Sequence, residues 1–389
     1  MVEISGSVAA GFEKVRDVFA ANFDAGLEVG ASFAAYHRGA KVVDLWGGTA
    51  DAESGRAWQE NTIALVFSTT KGVTAICANK LAQEGKLDVD APVAEYWPEF
   101  AQAGKHDIPV SYLLSHQAGL AWVDGEMTKE EAFAWAPVVD ALARQVPNWE
   151  PGTKHGYHAT TYGWLVGEVI RRVTGKTVGA YLHDEIAVPL GLDFWIGLPE
   201  AEEPRVAPLT GGLTDPALVE NEEMRALMMQ FLGPDTMLGR ALFAPGHALS
   251  EPGIWNSRAM HAAEIPSVNG IGEARSLARM YAACVSEVDG IRLVGPEQLK
   301  RATTRLTRGP NAVLLDLDIQ FGLGFMVPSG LIAVGGPHSF GHFGAGGSVG
   351  WGDPDAGLAF GYVMNRMEMG LAGDTRSFDL ISACYDAIA

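Results

Sequence analysis

A serine and a lysine three residues apart, Ser68 and Lys71, stand where an apolar run turns into a helical pattern. The stretch is Leu65-Val-Phe-Ser-Thr-Thr-Lys-Gly72, continuing as Val73-Thr-Ala-Ile-Cys-Ala-Asn-Lys-Leu-Ala82. Ser68 is placed to cap that helix. Positions i and i+3 share a helix face, so the Lys71 amine can reach the Ser68 hydroxyl. A serine hydroxyl is a weak nucleophile until a neighbouring base takes its proton. A lysine can be that base once burial lowers its pKa. The helix N-terminus also offers free N–H groups to a developing oxyanion. The bland alternative is a plain cap followed by a solvated lysine, since Ser-x-x-Lys arises about once by chance in a chain of this size.

The elements that would position this pair can be read along the chain. Apolar residues at helical spacing cover residues 7–23, and Val29–His37 with Lys41–Trp46 read as paired strands. The helix from Ser68 runs to Gly85, and a short one covers Val110–Ser115. Thr160–Thr174 reads as a helix closed by Gly175, and Val178–Ile186 as another. Residues 199–265 are loop-rich, with one helix over Pro216–Leu232; helix resumes at Ala274–Ser286. Phe321–Val327, Leu331–Val334, Ser348–Trp351 and Leu358–Asn365 read as antiparallel strands before a last helix over Phe378–Ile388. The two ends of the chain can share one antiparallel sheet with a helical block between them. The expected fold class is therefore α+β (mixed α/β).

Composition excludes several function classes. A formal net charge of −19 over 389 residues argues against a nucleic-acid or anionic membrane surface. Cys77, Cys284 and Cys384 are few, far apart and without metal-like spacing, as expected for free thiols in a reducing compartment. The N-terminus lacks the basic-then-apolar pattern of a signal peptide, and no run is long enough to span a bilayer, so a soluble cytoplasmic protein is expected. No His or carboxylate cluster has metal-ligand spacing, and no metal or cofactor is expected.

Further stretches appear in a telling order. They are Lys86-Leu-Asp-Val-Asp-Ala-Pro-Val-Ala-Glu-Tyr-Trp-Pro98, Leu113-Leu-Ser-His-Gln-Ala-Gly-Leu120, Pro151-Gly-Thr-Lys-His-Gly-Tyr157, Asn269-Gly-Ile-Gly-Glu-Ala-Arg-Ser-Leu-Ala-Arg279 and His342-Phe-Gly344. With Ser68-Thr-Thr-Lys71 they resemble the serine β-lactamase and penicillin-binding protein superfamily, in particular the family VIII carboxylesterases related to class C β-lactamases. The resemblance implies a central antiparallel sheet flanked by helices (residues 1–75 and 270–389), an inserted mostly helical domain (residues 76–269) and a site in the cleft between. It implies that Ser68 is acylated, that Lys71 and Tyr157 share proton transfer, with the acylation base left open between them, and that the N–H groups of Ser68 and Ala345 form the oxyanion hole. His342, Phe343, Gly344, Trp122 and Trp351 are expected on the substrate side. A supporting hydrogen-bond role weighs equally for His342, as core packing does for the two tryptophans.

Two departures bear on substrate. Where β-lactamases carry Tyr-x-Asn, this chain has Tyr157-His-Ala159, and where they carry Lys-Thr-Gly it has His342-Phe-Gly344. The lost amide and cation weaken recognition of a lactam and its carboxylate, while the acyl-transfer residues stay. Hydrolysis of short-chain uncharged esters is the expected activity, with weak β-lactam hydrolysis as a side reaction. The rivals are a β-lactamase, a D-amino-acid peptidase, an acyltransferase and a non-catalytic scaffold. Oligomeric state is open, a homo-oligomer included.

Other motifs weigh less. Gly346-Gly-Ser-Val-Gly350 matches the Gly-x-Ser-x-Gly elbow of α/β-hydrolases, but no histidine follows Ser348 and strands surround it, so a turn is expected. His116 is expected to hold a loop through its ring N–H; His155 and His158 are open between surface and pocket. Met224, Met228, Met229, Phe231 and Leu232 read as a core stripe before an acyl-pocket wall.

Overall fold

The computed structural model describes residues 2–212, 222–370 and 373–389, without the side chains of residues 224, 225 and 228. Nine strands form one sheet: β1 (Ile4–Val8), β2 (Gly30–His37), β3 (Ala40–Asp51), β4 (Arg56–Ala57), β5 (Gln320–Phe321), β6 (Met326–Val327), β7 (Phe340–Phe343), β8 (Val349–Asp353) and β9 (Leu358–Met364). Their order is β1-β3-β2-β9-β8-β7-β6-β5, with β4 beside β3. The two ends of the chain meet at the antiparallel β2–β9 pair, where Ala34 lies opposite Gly361. The fold has mixed α and β content and a large antiparallel sheet, as expected.

The middle strands are covered on both faces. Helix α1 (Glu13–Asp24) packs with α5 (Thr375–Asp386) on one side. On the other lie α2 (Thr69–Gln83), which meets β7, and α4 (Ala274–Val285), which meets β2, β8 and β9. Double coverage explains why β2 is buried almost end to end and does not alternate. Close approach of α4 depends on Gly350: a Cβ there would come 2.5 Å from the Tyr281 ring. Helix α3 (Thr161–Thr174) packs against α2 and ends on Gly175 in the left-handed conformation, as the sequence predicts.

Some expectations need correction. Residues 4–8 form a strand paired with β3, ahead of a helix that starts only at Glu13, after Gly11 turns the chain at φ +92°. Leu331–Val334 lies outside regular structure, while β7, absent from the expected strands, pairs with β8. Phe321–Val327 is divided between β5 and β6, the break falling at the positive-φ Gly324. The helix expected over Pro216–Leu232 is present at Glu222–Leu232; residues 216–221 lie outside the described residues. Among the described residues no helix is long and apolar enough to cross a membrane, and no His, Cys, Asp and Glu group could hold a metal ion.

Candidate active site

Helix α2 is the buried core of the site. From Thr62 to Asn79 every residue is buried except Ser68. The buried polar side chains of the helix are each held. Thr70 Oγ1 donates to Phe67 O and accepts from Gly270 N–H; Thr74 Oγ1 donates to Pro266 O at 2.6 Å; Asn79 Nδ2 donates to Leu323 O. Gly72 lets α2 approach α4, since a Cβ there would overlap the Tyr281 hydroxyl at 1.9 Å. Ser68 occupies the N-cap position, yet its side chain makes no capping bond, contrary to expectation. Phe67, just before it, is held at φ +44°, and its ring packs on Trp255 at 4.9 Å. Such a conformation is costly for a bulky residue and occurs where the surrounding structure enforces it. It turns the chain so that Ser68 faces out.

Lys71 is fully buried and takes no carboxylate partner among the described residues. Its Nζ lies 3.0 Å from Ser68 Oγ, 2.6 Å from Ala159 O and 2.9 Å from Ser267 O, and 4.7 Å from the Tyr157 ring centre. Burial alone holds its pKa well below the ordinary lysine value. A neutral amine has two N–H bonds and one lone pair. The two carbonyls can take the N–H bonds, leaving the lone pair for the serine hydroxyl.

Tyr157 is brought to the same point, its hydroxyl within reach of the Ser68 side chain. Burial pushes the phenol above its ordinary pKa, the Ser68 side chain opposing, so it stays protonated at neutral pH. Its backbone is fixed by Asn311, whose Oδ1 accepts from the N–H groups of Tyr157, Val313 and Leu314, each at 3.1 Å. The neighbouring histidines hold the loops. His116 Nδ1 accepts from His158 N–H at 3.1 Å, so the ring acts as an acceptor and not as the expected donor. His158 Nε2 accepts from Leu120 N–H at 2.9 Å, and His155 contacts Ile319 O. Both are buried, not at the surface, and burial lowers His158 to about 4.

The end of β7 abuts the start of α2. Gly344 fits there only without a side chain, because a Cβ would lie 2.2 Å from Val66 O. Ala345 opens the short turn 345–347, so its N–H precedes any bond internal to that turn. His342 is buried on the α2 side of the sheet, stacked on Tyr157 at 6.0 Å. Its Nδ1 lies 2.7 Å from Phe343 O, its Nε2 has no partner among the described residues, and burial lowers its pKa to about 3.

The structure does not bring Phe343 and Trp351 to Ser68. Both are fully buried on the opposite sheet face, against each other at 5.3 Å, and Phe343 packs on Phe378 of α5. Successive strand residues point to opposite faces, so His342 and Phe343 cannot both line the cleft. Trp122 joins an aromatic row through Trp149 and His158 toward His116 and Tyr157, with the Arg240 guanidinium 4.5 Å over its ring. Met229 and Phe231 are exposed, and Leu232 is partly buried; the Met224 and Met228 side chains lie outside the described set. A cavity of about 270 Å³ lies elsewhere, beside Tyr36, Lys41, Glu273, Arg275 and Arg279. Its cations are paired, Lys41 and Arg275 with Asp44 and Arg279 with Asp289. Sequence reasoning missed Ala159 O and Ser267 O, which as backbone groups carry no residue signature.

A family model described as Beta-lactamase matches residues 19–381. The chain belongs to the beta-lactamase family. Among its family relatives, the esterase/beta-lactamase LipL of Mycobacterium tuberculosis is 37% identical over 374 residues, covering 94% of this chain and 83% of its own. A crystal structure of a family VIII carboxylesterase is 39% identical, with a TM-score of 0.89 over 99% of this chain and 100% of that one. A penicillin-binding protein homologue from Caulobacter crescentus is 38% identical, with a TM-score of 0.87 over 99% and 100%. EstA from Arthrobacter nitroguajacolicus is 34% identical, with a TM-score of 0.86 over 99% and 98%.

Proposed function

We propose that this protein is a serine carboxylesterase that hydrolyses short-chain esters through an acyl-serine intermediate. One observation carries the reading: a buried lysine without a carboxylate partner contacts two carbonyls and Ser68, the one residue between Thr62 and Asn79 that is not buried. In this mechanism Ser68 Oγ attacks the ester carbonyl while its proton passes to the Lys71 lone pair. The oxyanion is held by the N–H groups of Ser68 and Ala345, donors of a kind worth about 3 kcal/mol each. Tyr157, still protonated, hands its proton to the departing alkoxide and regains one from Lys71. Water then attacks the acyl-serine by the same route, and the acid leaves with Ser68 restored.

The reading places the site in a cleft between a sheet domain (1–75 and 270–389) and a helical one (76–269). Its support is that Ser68 and Ala345 come from the first and Tyr157, Ala159 and Ser267 from the second. A cytoplasmic location belongs to the same proposal, resting on three buried free thiols. The relatives named an esterase/beta-lactamase and a family VIII carboxylesterase support an ester substrate. So does Ala159, which offers the site a carbonyl and no side-chain amide. The test is a panel of short-chain aryl esters beside penicillins and a chromogenic cephalosporin. Far higher kcat/KM on the esters is expected, and slow cephalosporin turnover is compatible. Equal or higher efficiency on penicillins contradicts the reading.

A further inference from the structure

Ser348, the serine of Gly346-Gly-Ser-Val-Gly350, has no exposed surface. Its hydroxyl donates to Val66 O at 2.7 Å and lies 3.0 Å from Thr69 Oγ1. Val66 and Thr69 flank Ser68 in the chain. The Ser348 carbonyl accepts from Gly344 N–H at 2.8 Å and so closes the 344–348 loop that carries Ala345. One residue therefore grips the nucleophile segment with its side chain and the opposing loop with its backbone. Gly344 completes the fit, since a Cβ there would also come 2.2 Å from Ser348 Oγ.

We propose that Ser348 is a positioning residue that sets the separation between the Ser68 and Ala345 N–H groups. The inference rests on the oxyanion hole of the proposed function. It gives the serine of an apparent nucleophile elbow a different role, because its proton is committed to Val66 O and no base touches it. The far side of the same loop is anchored separately. Gly346 N–H donates to Gly370 O at 3.0 Å, and Gly346 O accepts from Glu368 N–H at 3.2 Å and from Arg376 Nη2 at 2.6 Å. Losing the Ser348 hydroxyl thus leaves the loop folded but free to drift from α2.

Such drift weakens a contact that matters most in the transition state, so it lowers kcat and spares KM. Deleting a whole oxyanion donor costs about 10²–10³ in kcat, and misplacing one costs less. The experiment compares wild type with Ser348→Ala in the full-length chain on a short-chain p-nitrophenyl ester. A parallel measurement takes the Ki of an alkylboronic acid, whose tetrahedral adduct with Ser68 occupies the hole. Expected are a kcat lower by about tenfold or more, a KM within about twofold, and boronate binding weakened in step with kcat. Labelling of Ser68 by a fluorophosphonate, scored by peptide mapping, separates the two readings. If Ser68 is labelled and kcat and Ki both stay within about twofold of wild type, the inference is overturned while the hydrolase reading stands. If wild-type Ser68 takes no label, the hydrolase reading fails and this inference with it. Should Ser348→Ala not fold, Ser348→Cys keeps the side chain's connectivity with a larger atom and a weaker donor. A kcat loss of about threefold or more then supports the inference, and a smaller one overturns it.

Discussion

Replacing Lys71 with arginine keeps a cation at the site but removes its lone pair. The magnitude follows from where Lys71 sits. At an ordinary pKa of about 10.4, only about one lysine in a thousand is neutral at pH 7.4, a deficit of about 4 kcal/mol at 1.36 kcal/mol per unit. Burial without a carboxylate partner removes much of that deficit in the folded protein. Arginine cannot use this environment, because its guanidinium keeps its proton. General-base catalysis is worth about 10²–10⁴ in rate, so Lys71→Arg is expected to lose about that much kcat/KM. Measured against pH on a short-chain aryl ester, wild-type kcat/KM rises with one ionisation well below the ordinary lysine range. His158 and His342, lowered to about 4 and about 3, titrate too low to produce a rise near neutrality. Stability has its own sign. The unfolded chain binds the lysine proton up to about pH 10.4, whereas the folded chain releases it earlier, so this group makes stability rise with pH in between. Lys71→Met should lack that slope in urea titrations. A folded Lys71→Arg enzyme near wild-type rate, or a wild-type rise only near pH 10, refutes the reasoning.

Other outcomes follow from neighbouring groups. Tyr157→Phe keeps the ring stacked on Phe321 at 6.1 Å and loses only the hydroxyl, so kcat should fall about 10²-fold or more with Tm nearly unchanged; near wild-type kcat removes Tyr157 from proton transfer. Glu28, buried beside Arg376 and bonded to the Tyr362 hydroxyl, is pushed up to about 7 by burial. Its folded-state pKa lies above the unfolded value of about 4.3, so its contribution is complete below that value and lost as pH rises through about 7. The Tm difference between wild type and Glu28→Gln should therefore shift against wild type from pH 5 to pH 8; parallel curves contradict this.

Much of the candidate site was legible because its groups are side chains at fixed spacing. One helical turn brings Lys71 to Ser68, and the ordered motifs mark Tyr157 and the loop at Ala345. Strand parity defeats the expectation for the substrate side. His342-Phe-Gly344 reads as one surface in sequence, but a strand sends His342 toward Tyr157 and Phe343 toward α5. The groups that complete the lysine chamber, Ala159 O and Ser267 O, are carbonyls that any residue could supply. Phe67 carries the positive φ that aims Ser68, and nothing in phenylalanine signals such a conformation. The strand at Ile4–Val8 is hidden because Val8 also fits the helical spacing of Val15 and Phe19.

Two serines in this chain stand in motifs associated with catalysis, and peptide mapping of a covalent adduct decides between them. Ser68 is the accessible residue of its segment, in contact with Lys71; Ser348 is buried and bonded to Val66 O. A fluorophosphonate or sulfonyl fluoride should modify Ser68 alone, with loss of ester hydrolysis in proportion. Ser68→Ala should lose both the label and nearly all activity, keeping only the residual rate that binding and the oxyanion hole provide. An adduct on the peptide carrying Ser348, with Ser68 unmodified, would contradict the mechanism.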